Sequence, residues 1–106
     1  MEHARPLIEQ HLMSRDLNPT FVERELQVSR SQLYRAFQSL GGVSRYIATR
    51  RLASIHAALL SPNERRSIAA LAHDYGFVSP VHMSRMFREI YGHSPRAIRA
   101  RGRQPT

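Results

Sequence analysis

Hydrophobic residues recur along this chain at the spacing of amphipathic helices, and polar turn residues divide them into about seven segments. Most segments open on a residue that caps helix N-termini, and several close at glycine. No segment alternates apolar and polar residues between hairpin turns, so the predicted fold class is all-α. The predicted helices are Glu2–Met13, a short helix opened by Asn18-Pro19, Ser29–Leu40, Arg45–Leu60 after a Ser44 cap, Ser67 to near Gly76, Ser79-Pro80 to near Gly92, and a last helix opened by Ser94-Pro95.

One ten-residue pattern occurs twice, as VSRSQLYRAF from Val28 and as VSPVHMSRMF from Val78, 50 positions later. Both copies place apolar residues at i, i+3, i+4 and i+7, which predicts that this stripe faces the core. A glycine and a serine follow each copy at the same spacing, so the helix, its end and the next cap recur together. The predicted core stripe is Leu33, Ala36, Phe37 and Leu40 in the first copy and Met83, Met86, Phe87 and Ile90 in the second.

Each copy predicts a helix-turn-helix, because a short helix, a tight turn and a serine-capped second helix follow one another. Gly76 can supply a positive φ at the second turn. The first turn, ELQVS, has no glycine, so either Leu26 or Gln27 takes the strained conformation or the turn differs. We expect one bipartite domain over 1–106, with a first unit at 1–43, a linker helix at 44–61 and a second unit at 62–106.

The charge of the chain points to a polyanionic partner. All 16 basic residues are arginine, against eight acids, which gives a net charge of +8. Three arginines and five acids precede Ser29, whereas 13 arginines and three acids follow the start of the first repeated motif. A guanidinium group can donate two hydrogen bonds to one phosphate or to the edge of one guanine. This distribution of charge therefore favours a nucleic-acid partner over a basic surface that serves only solubility.

Other classes of function find little support in the sequence. The chain has no cysteine, no signal peptide and no apolar run long enough for a membrane span, so we expect a cytoplasmic protein without a membrane partner. The six histidines form no H-x-x-x-H pair, and there is no glycine-rich phosphate loop or G-x-S-x-G. We therefore expect no enzyme activity, no metal and no cofactor.

The bipartite domain resembles the DNA-binding domain of AraC/XylS-type bacterial transcription regulators. The resemblance rests on I-A-x-L-A-x-x-x-G-F from Ile68, S-R-x-F from Ser84, and G-x-S-P from Gly92, with Arg51-Leu52 on the joining helix. It covers about Leu7 to Arg99 and implies two helix-turn-helix subdomains joined by a long linker helix, bound to double-stranded DNA. Activators of this family recruit RNA polymerase, so the resemblance also implies that partner.

The N-terminal turns of recognition helices meet base edges, which gives two sets of candidate base-reading residues. Arginine can bind guanine, glutamine can bind adenine, and valine can pack on a thymine methyl group. Arg35 and Arg85 could instead clamp phosphates or pair with an acid, and Tyr34 could be packing. The candidates are Arg30, Ser31, Gln32, Tyr34 and Arg35 in the first unit and Val81, His82, Ser84 and Arg85 in the second.

Candidate phosphate contacts lie near helix starts, where exposed backbone N–H groups also bind anions, or on helix faces that are predicted to be exposed. The caps at these starts have a structural role first and a phosphate role second. Further arginines with predicted exposure are Arg65, Arg66 and Arg101. The main candidates are Ser29, Arg45, Arg50, Ser67, Arg88, Arg96 and Arg99.

The linker helix, Arg45–Leu60, would be about 24 Å long, whereas successive major grooves on one DNA face lie about 34 Å apart. We therefore expect either that a monomer places both recognition helices in adjacent grooves and bends the DNA, or that one unit engages less fully. The resembling proteins commonly carry a separate effector or dimerisation domain, so the chain could be an excised C-terminal domain or a stand-alone regulator. Alternative functions are a helical RNA-binding module and a protein-interaction module.

Overall fold

A computed structural model describes residues 3–103 of the chain. Within this range all regular structure is helical, which confirms the predicted all-α fold with seven α-helices. A 3₁₀ turn at Gln38–Leu40 follows the third helix. The helices are α1 (Ala4–Gln10), α2 (Pro19–Leu26), α3 (Arg30–Phe37), α4 (Val43–Leu60), α5 (Ile68–Asp74), α6 (Pro80–Tyr91) and α7 (Pro95–Arg103).

The chain forms two compact units, Met1–Arg51 and Leu52–Thr106, and the boundary falls inside α4. The first unit contains α1, α2, α3 and the N-terminal half of α4. The second contains the C-terminal half of α4 with α5, α6 and α7. In each unit, two helices joined by a tight turn form the helix-turn-helix: α2 and α3 in the first, α5 and α6 in the second.

Side-chain caps open five of the helices, as predicted. Asn18 accepts a hydrogen bond from the backbone N–H of Phe21 at 2.8 Å, and the hydroxyl of Ser29 accepts one from Gln32 at 3.1 Å. Ser67, Ser79 and Ser94 accept equivalent bonds at 3.0 to 3.1 Å. Such caps satisfy backbone donors that a helix N-terminus otherwise leaves without partners.

The predicted Ser44 cap is wrong, because α4 begins at Val43. The carbonyl of Gly42 accepts the first helical hydrogen bond, from the N–H of Tyr46 at 3.0 Å, and Ser44 lies exposed in the first turn. Because α4 begins one residue earlier than Ser44, Val43 is part of the helix and its apolar side chain is buried in the first core. The repeat between Ser44 and Ser94 is therefore one of sequence and not of structure.

The first core gathers apolar side chains from all four helix segments of its unit around Leu33 and Phe37. The prediction that Ala36 and Leu40 belong to this core is wrong, since both are exposed and Leu40 retains 38% of its accessible surface. For Leu40 the reason is that α3 ends at Phe37 and the 3₁₀ turn that follows breaks the helical stripe, whereas Ala36 lies within α3 beside the stripe that Leu33 and Phe37 form. The buried residues are Ala4, Ile8, Leu12, Leu17, Val22, Leu33, Phe37, Val43 and Ile47.

The second core has the same plan and confirms the predicted stripe more fully. Met83 and Phe87 are completely buried, while Met86 and Ile90 are partly buried and pack against them. The longer α6 makes the difference, because it continues to Tyr91 without a 3₁₀ turn. His56 of α4 stacks on Tyr91 with ring centroids 4.3 Å apart.

The turns within the two helix-turn-helix pairs use the same backbone device. Gln27 and Gly76 both adopt left-handed φ values, 55° and 80°. In each turn the next residue donates its N–H to a carbonyl five positions back, Val28 to Glu23 and Phe77 to Ala72, as in a Schellman motif. Of the two residues considered for the first turn, Gln27 is therefore the one that takes the strained conformation.

The second turn is one residue longer than the first. Counted from the left-handed residue, the cap of α3 is two positions away at Ser29, whereas the cap of α6 is three positions away at Ser79. Val28 therefore corresponds to Phe77, and both pack on the core of their own unit. The sequence match between Val28 and Val78 is not a structural equivalence, because Val78 is the additional residue and is 99% exposed.

A buried arginine fixes α4 to the segment after α1. Arg51 is 9% exposed and donates from Nε to the carbonyl of Leu12 at 2.8 Å and from Nη2 to that of Ser14 at 2.7 Å. Burial lowers the pKa of this guanidinium, and two carbonyl acceptors compensate for the water that the charge loses. The arginine thereby ties α4 to the loop between α1 and α2.

Candidate nucleic-acid interface

The outward face of α3 presents the residues predicted to read bases. Leu33 and Phe37 are buried, which turns the opposite side of the helix to solvent, and Tyr34 retains 62% of its accessible surface. Arg30, Ser31, Gln32 and Arg35 are also exposed. This short helix therefore combines two cationic side chains with hydroxyl, amide and phenol groups on one accessible surface.

Gln32, which was predicted only to contact a base, also has a structural role. Its side-chain oxygen accepts a hydrogen bond from the backbone N–H of Ser29 at 2.8 Å, which completes a capping box with the Ser29 hydroxyl. The carbonyl oxygen of the amide is therefore occupied. A paired contact with adenine needs both the oxygen and the NH₂ group, so it would have to share this oxygen through its second lone pair or draw Gln32 away from the cap.

The outward face of α6 differs in chemistry from that of α3. Pro80, Val81, His82 and Arg85 are exposed, and Ser84 is partly exposed. The ring of His82 lies near that of Phe77, with centroids 6.4 Å apart. The first two helical positions, which are Arg30 and Ser31 in α3, are thus apolar in α6.

A groove lies beside each recognition helix, between the N-terminal ends of three helices. In the first unit it has a volume of about 460 Å³ and includes Glu23 of α2, Arg30 of α3 and Val43 of α4. In the second it has a volume of about 470 Å³ and includes Ile68 of α5, Arg85 of α6 and Arg96 of α7. The two grooves occupy corresponding positions in the two units.

The charges of the two grooves differ. The second groove is lined by Arg85, Arg88 and Arg96, and no acidic residue stands among the described residues that line it. The first groove contains one arginine, Arg30, and one glutamate, Glu23. An anion such as a DNA phosphate is therefore attracted more strongly to the second groove than to the first.

The predicted phosphate contacts fall into two groups in the structure. Arg45, Arg88 and Arg96 are exposed, and the Arg45 side chain lies against Gly41. By contrast, Arg50 pairs with Glu9 at 2.6 Å. Arg99 donates to the backbone carbonyl of Arg66, and Ser29 and Ser67 cap α3 and α5.

Arg66, which was predicted to be exposed, keeps 36% of its side-chain accessible surface and is the centre of an ion-pair network. It pairs with Glu64 at 2.8 Å and with Asp74 at 3.1 Å, which fixes the loop after α4 to the end of α5. Hydrogen bonds from Arg66 hold the pKa of Glu64 down at about 2 and raise the pKa of Arg66. The E-R-R spacing gave a weak local signal for the first pair, but Asp74 is eight residues from Arg66 and gave none.

Among residues 3–103 no three histidine or acidic side chains cluster as a metal site would require. No helix in that range is long and apolar enough to cross a membrane.

Comparison with known proteins identifies the class. A helix-turn-helix domain family model matches residues 22–101, so most of the chain is a helix-turn-helix domain. A transcriptional regulator with an AraC-type DNA-binding domain from Chromobacterium violaceum shares 31% identity over 97% of this chain and 91% of its own, with a TM-score of 0.83. The chain belongs to the AraC-type family of DNA-binding domains of transcription regulators, which confirms the resemblance; this is not an enzyme family.

Two further solved structures are similar. The C-terminal domain of AraT, a response regulator from Geobacillus stearothermophilus, shares 27% identity over 93% of this chain and 82% of its own, with a TM-score of 0.80. The DNA-binding domain of AdpA, a global transcriptional factor in complex with a target DNA, shares 27% identity over 93% of this chain and 88% of its own, with a TM-score of 0.78.

Proposed function

We propose that this domain binds double-stranded DNA in a sequence-specific manner by placing α3 and α6 in major grooves of one asymmetric site. The observation that carries the proposal is that both helices bury one stripe and expose the opposite face at their N-terminal turns, which is polar in α3 and begins with apolar residues in α6. Recognition helices meet base edges with those turns. Since the faces differ, the two half-sites should have different sequences.

The base-reading roles follow from the exposed side chains. Arg35 and Arg85 are directed to guanine, with about 1 to 3 kcal/mol of discrimination each. Ser31, Tyr34, His82 and Ser84 supply further contacts to base edges. Arg30 lies at the first helical position of α3, beside the groove, where it can reach either a base or a phosphate. Gln32 contributes the NH₂ group that its capping role leaves available.

The phosphate roles go first to the exposed arginines Arg45, Arg88 and Arg96. Arg50 and Arg99 already bind protein groups, so each would have to exchange a partner or reach the DNA with its remaining N–H groups. Ser29 and Ser67 keep their capping role and expose backbone N–H groups at helix starts. Six to ten phosphate contacts in total predict that log affinity falls with log salt at a slope of about −5 to −9.

Selection from a random duplex pool tests the proposal. We expect an enriched sequence with two different half-sites, and binding of that duplex to exceed that of a scrambled duplex and of hairpin RNA at equal salt. Failure to enrich any sequence, or a salt slope near zero, would contradict the proposal. DNA bending is tested by gel mobility with the site at the middle and at the end of a fragment, and equal mobilities would count against it.

Arginine substitutions separate base reading from phosphate binding. Arg35→Lys keeps the positive charge but loses the planar fork that binds guanine with two hydrogen bonds. We expect Arg35→Lys to lose preference for one base pair while its affinity for scrambled DNA stays within about twofold. Arg5→Lys, on α1 outside the helix-turn-helix, is the matched control. A uniform loss on all sequences would assign Arg35 to phosphate.

Contact with RNA polymerase and a monomeric state belong to the same proposal. Retention of the domain by polymerase in the absence of DNA tests the first. Light scattering of the domain alone and of its complex with one duplex tests the second; a complex with two domains on one selected site would contradict it.

A further inference from the structure

We infer that Val78 and Val81 recognise thymine methyl groups in the half-site bound by α6. The inference rests on the proposed function, since it concerns which base pairs the second unit prefers. Val81 was already a candidate base reader, but Val78 was not. The inference therefore assigns a role in DNA recognition to Val78, the additional residue of the second turn.

Each residue of the second turn from Gly76 to Ser79 has a structural role in the fold except Val78. Gly76 takes the left-handed conformation, Phe77 packs on the second core, and Ser79 caps α6. Val78 is the residue that the first turn lacks, and it is 99% exposed. A side chain that loses no contact with water contributes no hydrophobic stability, so packing does not account for a valine here.

Val78 does not stand alone as an exposed apolar residue. Pro80 and Val81 follow it at the start of α6, both are exposed, and Val81 retains 67% of its accessible surface. A single exposed hydrophobic residue needs no explanation, but three within four consecutive positions form a local apolar surface. This surface lies at the N-terminal turn of a recognition helix, which is the part that meets base edges.

The chemistry of the major groove selects the partner. The C5-methyl group of thymine is the apolar group that base edges present there, and it distinguishes thymine from cytosine by shape, in addition to the difference between their hydrogen-bonding groups. At the corresponding start of α3 stand Arg30 and Ser31, which are suited to polar contacts. The apolar surface also borders the arginine-lined groove through Val81 and Arg85, so it is continuous with the cationic surface that would hold the phosphates.

Deoxyuridine provides the test, because it differs from thymidine only by the absent methyl group. In the selected duplex, each thymine is replaced singly by deoxyuridine and the Kd is measured. We expect each methyl buried by Val78 or Val81 to weaken binding about fourfold when it is removed. In the half-site bound by α3, we expect changes below about twofold.

Variants assign the effect to the two valines. Val78→Ala and Val81→Ala should bind the thymine duplex more weakly and lose the response to deoxyuridine at the position each contacts. Both side chains are exposed, so the thermal midpoints should stay unchanged. Since the chain has no cysteine, Glu89→Cys carrying an iron chelate will cleave DNA near α6 and identify its half-site.

Several results would overturn the inference. These are a half-site of α6 without thymine, equal affinity for thymine and deoxyuridine throughout it, or an unchanged deoxyuridine response in both variants. A response coupled to Val81 alone would remove Val78 from the assignment. All of these leave sequence-specific binding intact, whereas failure of the selection to enrich any duplex would refute the proposed function itself.

Discussion

Replacing Gln27 by glycine should stabilise the first unit. Gln27 has φ 55° and ψ 45°, and it is the only non-glycine residue with positive φ in the part of the chain that the structure describes. A side chain in this conformation brings Cβ close to the following carbonyl oxygen, which costs about 1 to 2 kcal/mol. The turn between α2 and α3 therefore carries strain that a residue without Cβ would not have.

The unfolded chain reduces this gain. Glycine gives the unfolded state more conformations, which costs about 0.4 to 1 kcal/mol of stability relative to a residue with a side chain. With the midpoints of these two ranges, the net expectation for Gln27→Gly is a stabilisation of about 0.5 to 1 kcal/mol. At about 4 to 8 °C per kcal/mol for a domain of this size, the thermal midpoint should rise by about 2 to 8 °C.

The equivalent turn supplies the control. Gly76 occupies the same left-handed position in the second unit, so Gly76→Gln should destabilise the domain by a similar amount. Urea unfolding followed by circular dichroism measures both variants. If Gln27→Gly is neutral or destabilising while Gly76→Gln behaves as expected, the side chain of Gln27 makes a compensating contact and the strain reasoning for the first turn is wrong.

Three further predictions concern charged residues. Arg51→Met removes two charge-assisted hydrogen bonds to buried carbonyls and should lower the free energy of unfolding by about 2 to 4 kcal/mol in urea titrations; an unchanged midpoint would contradict this. The pKa of Glu64 is lowered to about 2 by Arg66. The wild type should therefore exceed Glu64→Gln in free energy of unfolding by a constant amount above about pH 4.5, and this difference should decline towards pH 2. If this difference grew on acidification, the conclusion that the Arg66 pair stabilises the ionised Glu64 would be wrong. Glu23→Gln removes the acid from the first groove and should raise affinity for duplex DNA about two- to threefold at low salt, with little effect at high salt; equal affinities at low salt would exclude a role for this charge.

The sequence predicted the features that depend on neighbouring residues. The caps at Asn18, Ser29 and Ser79 were correct because a capping hydrogen bond spans only three residues. The sequence left three alternatives for the first turn, which were strain at Leu26, strain at Gln27 or a different turn, and the structure shows the left-handed conformation at Gln27. The buried stripe through Leu33 and Phe37 followed from helical periodicity alone.

The features that depend on tertiary contacts were not predicted. Arg50 and Glu9 are 41 residues apart, and Arg51 and Leu12 are 39 apart, so no local pattern could show that these arginines bind protein groups. The exposure of Leu40 depended on a 3₁₀ turn that its sequence does not signal. Of the candidate site, the exposure of the two recognition faces could be predicted, whereas the present partners of the cationic side chains could not.

The unbroken helix α4 has a consequence for how the domain folds. Its 18 residues divide at the boundary after Arg51 into two halves of nine, one belonging to each unit. Val43 and Ile47 pack in the first core, while Leu52, Ile55 and Leu59 pack in the second. A nine-residue helix is marginally stable in water by itself, so each half of α4 is stabilised when the other half stays helical. Unfolding of one unit therefore removes a support of the other, and a ligand that held one unit folded would also raise the folded population of the other.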